Sequence, residues 1–340
     1  MSNVEMRYVD SSRVAADWIC PKSRYWGYEH EGIGITGIET NPDLAFGLRV
    51  AECVDGLRAG NGHATGHPSS PATSDDETLL CGLLTAYQQH IWPSWLEGFE
   101  LIGTEVECAH PLSPSVTYMA RPDAVLRRKD DQTVWVLSDK TTSLDPQRFT
   151  HLWGKAVQNH AECVCVERQL GVTVSGYYTQ GWCKGYKKSN TIYSPLAYAW
   201  CKEGVGGLTK DQWSETYKYG WSRRRIDAYP GGVEAWVKRL PKAMMLDQFP
   251  VAGPIMLRRD LVAQYFDEIV ERERAILNQG RFPHHFANCD EYGKYRRPCE
   301  FRDCCWAPTI GRDPIGSGLY KKRVPHHELE ATHDENPVGQ

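Results

Sequence analysis

Two acids and a lysine in one short stretch have the chemistry to hydrolyse a phosphate ester. Asp123 stands in Arg121-Pro122-Asp123, and Asp139 and Lys140 stand in Ser138-Asp139-Lys140-Thr141-Thr142. Carboxylate oxygens suit a hard divalent cation, and an ammonium group positions an attacking water or stabilises developing charge. The runs Ala124 to Leu126 and Thr133 to Leu137, rich in β-branched residues, flank a charged turn at Lys129-Asp130-Asp131 and predict a hairpin. Antiparallel pairing brings Asp123 close to the 138–140 cluster. Strand alternation, however, places Ser138 and Lys140 on one face and Asp139 on the other. Either a bulge re-aims Asp139 or a metal ligand is missing, for which Glu105 or Glu107 on the preceding strand could substitute.

A second reactive group lies near the end of the chain. Cys289, Cys299 and Cys305 occur in a Gly- and Pro-containing loop, with nine and five residues between successive members. The loop has little period of its own, so something other than a core must fix its shape. Three thiolates need a fourth ligand to complete a tetrahedral zinc site or a four-iron cluster. Cys20, where a short helix stops at Pro21, is the candidate, and Cys304 competes with Cys305 for the last place. The remaining cysteines sit in apolar contexts and read as core.

The elements that must position these groups follow from periodicity. Helices are expected in 11–28, 43–58 and 77–98, with a Gly/Ser/Pro-rich loop over 60–76 whose His63 and His67 carry no assigned chemistry. Strands follow at 100–108, 115–127 and 132–139. Phe149 to Leu170 shows helical spacing with one buried face, Gly171 stops it, and Val172 to Trp182 is a further strand. Arg258 to Gln279 is an amphipathic packing helix, and 307–340 lacks an apolar period and reads as a polar mobile tail. Lys187, Lys188, Arg223 and Arg224, interleaved with aromatics, offer phosphate contacts and stacking faces. A net charge of −4 gives no global attraction to nucleic acid, so such a partner must be held by local patches. The N-terminus has no apolar leader and no run is long enough to span a bilayer. A cytoplasmic protein with free or metal-bound thiols is therefore expected.

The pair Pro122-Asp123, followed by Asp139-Lys140-Thr141-Thr142, resembles the PD-(D/E)xK nuclease superfamily, in particular its RecB-like branch. Gln158 stands where that family has a glutamine on the helix after the lysine, and Leu170-Gly171 closes the helix on cue. Cys20-Pro21-Lys22 and Cys299-Glu300-Phe301-Arg302-Asp303-Cys304-Cys305 resemble the iron-sulfur staple of certain members, whose spacing favours Cys305 over Cys304. Three positions depart from the pattern: Ser138 for the second acid, Glu162 for a tyrosine, and Ala51 for the histidine after Phe46-Gly47.

The resemblance implies one α/β domain over residues 1–306: a PD-(D/E)xK (restriction-endonuclease-like) core with a mixed sheet flanked by helices at 99–200, helical parts at 11–98 and 201–280, and an iron-sulfur lobe at 281–306 joined by the chain's beginning. It implies a 4Fe-4S cluster on Cys20, Cys289, Cys299 and Cys305, Mg2+ or Mn2+ on Asp123 and Asp139, catalytic roles for Lys140 and Gln158, and DNA as partner, with a recombination or replication protein as recruiter. The expected activity is metal-dependent DNA hydrolysis, as an exonuclease in recombination, repair or viral DNA processing. The three departures support a competing expectation, a nuclease-like fold that has lost catalysis and binds DNA or a partner. A zinc-stapled structural protein is the third.

Overall fold

The computed structural model describes residues 6–39, 42–60, 80, 83–184, 186–188, 191–193, 248–285 and 299–330. Cys289, Arg223, Arg224, His63 and His67 lie outside the described residues, and of Lys187 and Lys188 only the strand backbone is described.

The chain begins with β1 (Arg7–Val9), α1 (Ser11–Ile19), β2 (Ile35–Gly37) and α2 (Pro42–Arg58). After α3 (Trp92–Gly98) come β3 (Phe99–Thr104), β4 (Cys108–Ser113), β5 (Val116–Ala120), β6 (Ala124–Arg128) and β7 (Val134–Thr142). Next are α4 (Pro146–Trp153), α5 (Val157–Leu170), β8 (Val174–Cys183) and the hairpin β9 (Tyr186–Lys188) and β10 (Thr191–Tyr193). Last are β11 (Val251–Met256), α6 (Arg259–Gln279) and β12 (Tyr320–Lys322), with short helices such as Pro21–Arg24 and Arg302–Trp306 between the longer elements.

The architecture is α/β, with mixed sheets flanked by helices. The central sheet runs β11-β8-β7-β6-β3, with β7 and β8 parallel and the other pairs antiparallel. Alternation divides its side chains cleanly. Ala124, Leu126, Trp135, Leu137 and Trp182 join a core with residues of α2 and α3, whereas Val125, Val134, Val136 and Tyr177 join a second core with residues of α5 and α6. A sheet covered on both faces needs apolar residues at successive positions, which is why β6 and β7 read as continuous apolar runs. Each buried Val or Leu among them contributes about 1.5–3 kcal/mol. Gly47 belongs to this arrangement, because a Cβ there would stand 3.1 Å from Thr141 Oγ1 on β7. The Phe46-Gly47 pair thus packs α2 closely on the strand that carries the candidate site.

The predicted hairpin is present, as is the long helix up to Gly280. Several boundaries differ from expectation. The strand expected over 100–108 divides into β3 and β4 at Glu105, whose φ is 46°, and the one over 115–127 divides at Arg121-Pro122-Asp123. Pro122 lacks the N–H that continued pairing needs. As a result β4 and β5 leave the central sheet and form a second one with β1. The helix expected from Phe149 to Leu170 is two helices, because Ala156 is extended (φ −74°, ψ 105°). Gly171 caps α5 in the left-handed region, as expected.

The expectation of a mobile tail after residue 306 needs correction up to residue 330. β12 pairs with β2, Arg323 Nε donates to the Ile33 carbonyl at 3.0 Å, and Arg13 Nη2 donates to Glu330 at 2.6 Å. Polar composition concealed this docking, since the segment is held by ion pairs and main-chain bonds rather than by an apolar stripe.

Candidate active site

Asp123 immediately precedes β6, two positions from Val125, so alternation sets it on the α5 face of the sheet. Its Oδ2 accepts a hydrogen bond from the Asp139 backbone N–H at 2.7 Å, tying the start of β6 to the end of β7. Ser138 and Lys140 share that face, and Asp139 does not. Its Oδ2 accepts from Arg58 Nη1 at 2.6 Å and its Oδ1 from Trp182 Nε1 at 2.8 Å, both on the α2 face. The register between β7 and β8 runs unbroken through Asp139 and Lys140, so no bulge re-aims the carboxylate. Arg58, itself buried, also donates to the Tyr87 hydroxyl at 2.6 Å and lies over the Trp92 ring. Asp139 is therefore bound into a structural network, contrary to the expectation that it faces the site.

Ser138 meets a carboxylate from the neighbouring helix. Glu162, the second turn of α5, is buried, and its Oε2 accepts from Ser138 Oγ at 2.8 Å. The residue read in the sequence only as a departure from tyrosine thus stands beside the strand position where a second acid was expected. Burial pushes the Glu162 carboxyl above its usual range, with the Lys140 ammonium and the Ser138 bond opposing and the Asp123 charge adding. Burial also raises Asp123, with Lys140 opposing and Asp139 adding. For Lys140 burial disfavours the charged form, but Asp123, Glu162, Asp139 and Glu105 outweigh it and raise its pKa. The lysine is held as an ammonium, and it lies 5.6 Å from the Trp153 ring centroid.

Glu105 flanks the same place from the β3–β4 turn. Its backbone N–H points to the Asp123 carbonyl at 3.4 Å, and Arg121 Nε pairs with its carboxylate at 2.9 Å. Burial, then the charge of Asp123, raises its pKa to about 7, with Asp55 and Asp139 adding to the effect. Asp55, on α2 one turn after Ala51, was not singled out in the sequence. Its Oδ1 is buried and has no hydrogen-bond partner. Glu107 is directed elsewhere, accepting from His327 at 2.7 Å if that ring nitrogen carries the proton.

Lys140, Gln158 and Glu162 open onto a cavity of about 310 Å3, completed by the start of α1, the end of β5 and His326 and His327 of the C-terminal segment. Gln158 lies in the first turn of α5, four residues before Glu162, so both project from one side of that helix. The C-terminal segment, read in the sequence as a tail, forms one wall.

The carboxylates fit a hard divalent cation on two grounds. Burial, with a smaller addition from neighbouring carboxylates, raises Asp123, Glu162 and Glu105 despite the opposing cations, so a bound cation would offset a real cost, and Asp55 holds a buried oxygen without a hydrogen-bond partner. Among the described residues no three His, Cys, Asp or Glu side chains stand as a ready-made metal cage. Mg2+ asks for less, commonly one or two carboxylates with waters and substrate phosphates.

Towards the end of the chain, Cys299, Cys304 and Cys305 pack around Trp26, Phe301 and Tyr320. Cys305 Sγ accepts from Trp26 Nε1 at 3.3 Å, and Cys20 Sγ from the His285 backbone N–H at 3.5 Å. Cys304, buried like Cys20, lies against Tyr320, and burial pushes its thiol up to about 11. Cys20, Cys299 and Cys305 are thiols of the type a structural metal takes, but among the described residues they do not stand together as a ready-made cage, and the raised Cys304 thiol is the poorer donor.

No helix among the described residues is long and apolar enough to cross a membrane. Comparison with known proteins returns no matching family model and no matching curated protein.

Proposed function

We propose that this chain is a metal-dependent deoxyribonuclease whose second acid stands on α5 instead of β7. The observation that carries the proposal is the 2.8 Å bond between Ser138 and Glu162, on the strand face that also bears Lys140. In the PD-(D/E)xK pattern that the sequence resembles, an acid at Ser138 would share a face with the lysine. Here a serine on the strand and a glutamate on the helix together occupy that place. The arrangement answers the most serious of the three departures.

Asp123 and Glu162 would hold Mg2+ or Mn2+, with Glu105 and Asp55 as flanking oxygen donors. Bound there, the cation would polarise the scissile phosphate and lower the pKa of a water. Lys140, kept protonated by its carboxylate neighbours, stabilises charge on the phosphoryl oxygens or positions the water. Gln158, on the cavity wall, orients water or phosphate by its amide. Cys20, Cys289, Cys299 and Cys305 would carry a 4Fe-4S cluster, whose part is to fasten the two chain ends together. That cross-link closes a very long loop and restricts the unfolded chain.

The test is degradation of end-labelled single- and double-stranded DNA by anaerobically purified protein with Mg2+ or Mn2+. Metal-dependent cleavage lost in both Lys140→Ala and Asp123→Ala is the expected result. Folded, cluster-loaded protein that cleaves neither substrate would overturn the hydrolase and leave a DNA- or partner-binding module.

A further inference from the structure

The catalytic cavity does not end at Gln158. A groove of about 210 Å3 adjoins it and shares Ser11, Ala15 and Gln158 with it. One stripe of α1 forms its wall, since Ser11, Val14, Ala15 and Trp18 recur at intervals of three and four. The opposite wall is Val157 at the start of α5, with Tyr265 of α6. From Ser11 to Trp18 the groove follows α1 for about 10 Å.

Trp18 is the unexpected feature of this groove. It is 54% exposed, although Val14, one turn earlier on the same stripe, is buried in the core. Its ring meets Tyr265 edge to face at 5.7 Å and 79°, a contact that fixes the indole and leaves much of it in solvent. The groove is therefore polar where it joins the cavity and apolar with a held aromatic ring at its far end. A nucleotide has that polarity, with a charged phosphate and a flat base at opposite ends. Bases within a duplex are already stacked on each other, so only an unpaired base can present its face to Trp18 without an unstacking cost.

We propose that this groove is a stacking subsite for an unpaired base, so that the strand whose phosphate reaches Lys140 is single-stranded. The inference rests on the hydrolase reading for the phosphate position. The stacking contact itself is independent of hydrolysis.

The experiment measures binding of the full-length, cluster-loaded protein to a fluorescent oligothymidylate, and to a duplex of equal length, in EDTA. Wild type is expected to prefer the single strand. Trp18→Ala should weaken its binding by about 5- to 150-fold, Trp18→Phe should recover most of that, and Trp18→Leu, apolar but without a π face, should not. Because Trp18 is exposed, these variants are expected to melt as wild type does. Equal affinity in wild type and Trp18→Ala, or equal recovery by Leu and Phe, would overturn the subsite. So would a wild-type self-association released by Trp18→Ala with oligonucleotide affinity unchanged. A wild type that cleaves DNA but binds alike in every variant overturns the subsite alone. Absence of both binding and cleavage removes the hydrolase reading with it.

Discussion

Replacing Glu162 by Gln separates what the carboxylate does for chemistry from what it does for stability. The amide keeps the size of the side chain and can still accept the Ser138 hydroxyl, now 2.8 Å from Glu162 Oε2. The hydrogen bond passes from charge-assisted to neutral, a loss of about 1 kcal/mol. Against it stands the burial that raises the carboxyl's pKa. A carboxyl raised in the folded state favours folding while it is protonated and works against it once pH climbs through the raised value. At pH 8 the Gln variant, measured in EDTA, should therefore melt no lower than wild type. Catalysis should move the other way. Loss of one charged group at the reacting centre typically costs about 10²–10³ in kcat, or about 2.7–4 kcal/mol, and the Mg2+ concentration for half-maximal rate should rise about 10- to 100-fold. The double variant Ser138→Asp with Glu162→Gln returns the acid to β7 on the Lys140 face, and should restore the rate to within about tenfold of wild type. Initial rates on labelled single-stranded DNA across a Mg2+ titration read all three enzymes. A Glu162→Gln enzyme of wild-type rate and metal dependence would refute the reasoning outright.

Three further outcomes follow from the same geometry. Asp139→Ala leaves Arg58 buried without its carboxylate and should destabilise the fold by about 3–5 kcal/mol in urea titration; a variant of wild-type stability would contradict the network described. Glu105, with a pKa of about 7 in the folded protein, adds stability that is complete below the ordinary glutamate range and is lost as pH rises through 7. Its side chain is 31% exposed, so after solvent screening Glu105→Gln should gain about 1–2 kcal/mol over wild type at pH 8 and nothing at pH 4, read by denaturant melts in EDTA. Finally, Cys20→Ala and Cys305→Ala should purify with much less bound iron and visible absorbance than wild type, whereas Cys304→Ala should keep both; the reverse pattern for the last two would exchange their roles.

The sequence by itself determined the hairpin, its turn and the chain positions of Asp123 and Lys140, because strand period and turn chemistry are local properties. It likewise determined α6 and the Gly171 stop, where one apolar stripe and one left-handed cap suffice. Alternation even foretold that Asp139 and Lys140 would face apart. The carboxylate beside Ser138 was beyond reach, since Glu162 meets Ser138 only after α5 has crossed back over the sheet, and a buried glutamate on a helix looks like any surface one in the chain. Asp55 was hidden for the same reason, as α2 joins the site through its packing on β7 at Gly47. The C-terminal segment shows the limit most plainly. Its ion pairs join Arg13 to Glu330 and its strand pairs β12 with β2, contacts between residues hundreds of positions apart that leave no periodic trace. Local periodicity reports which face of an element is apolar. Only the tertiary structure decides which charged side chains from different elements converge on one cavity.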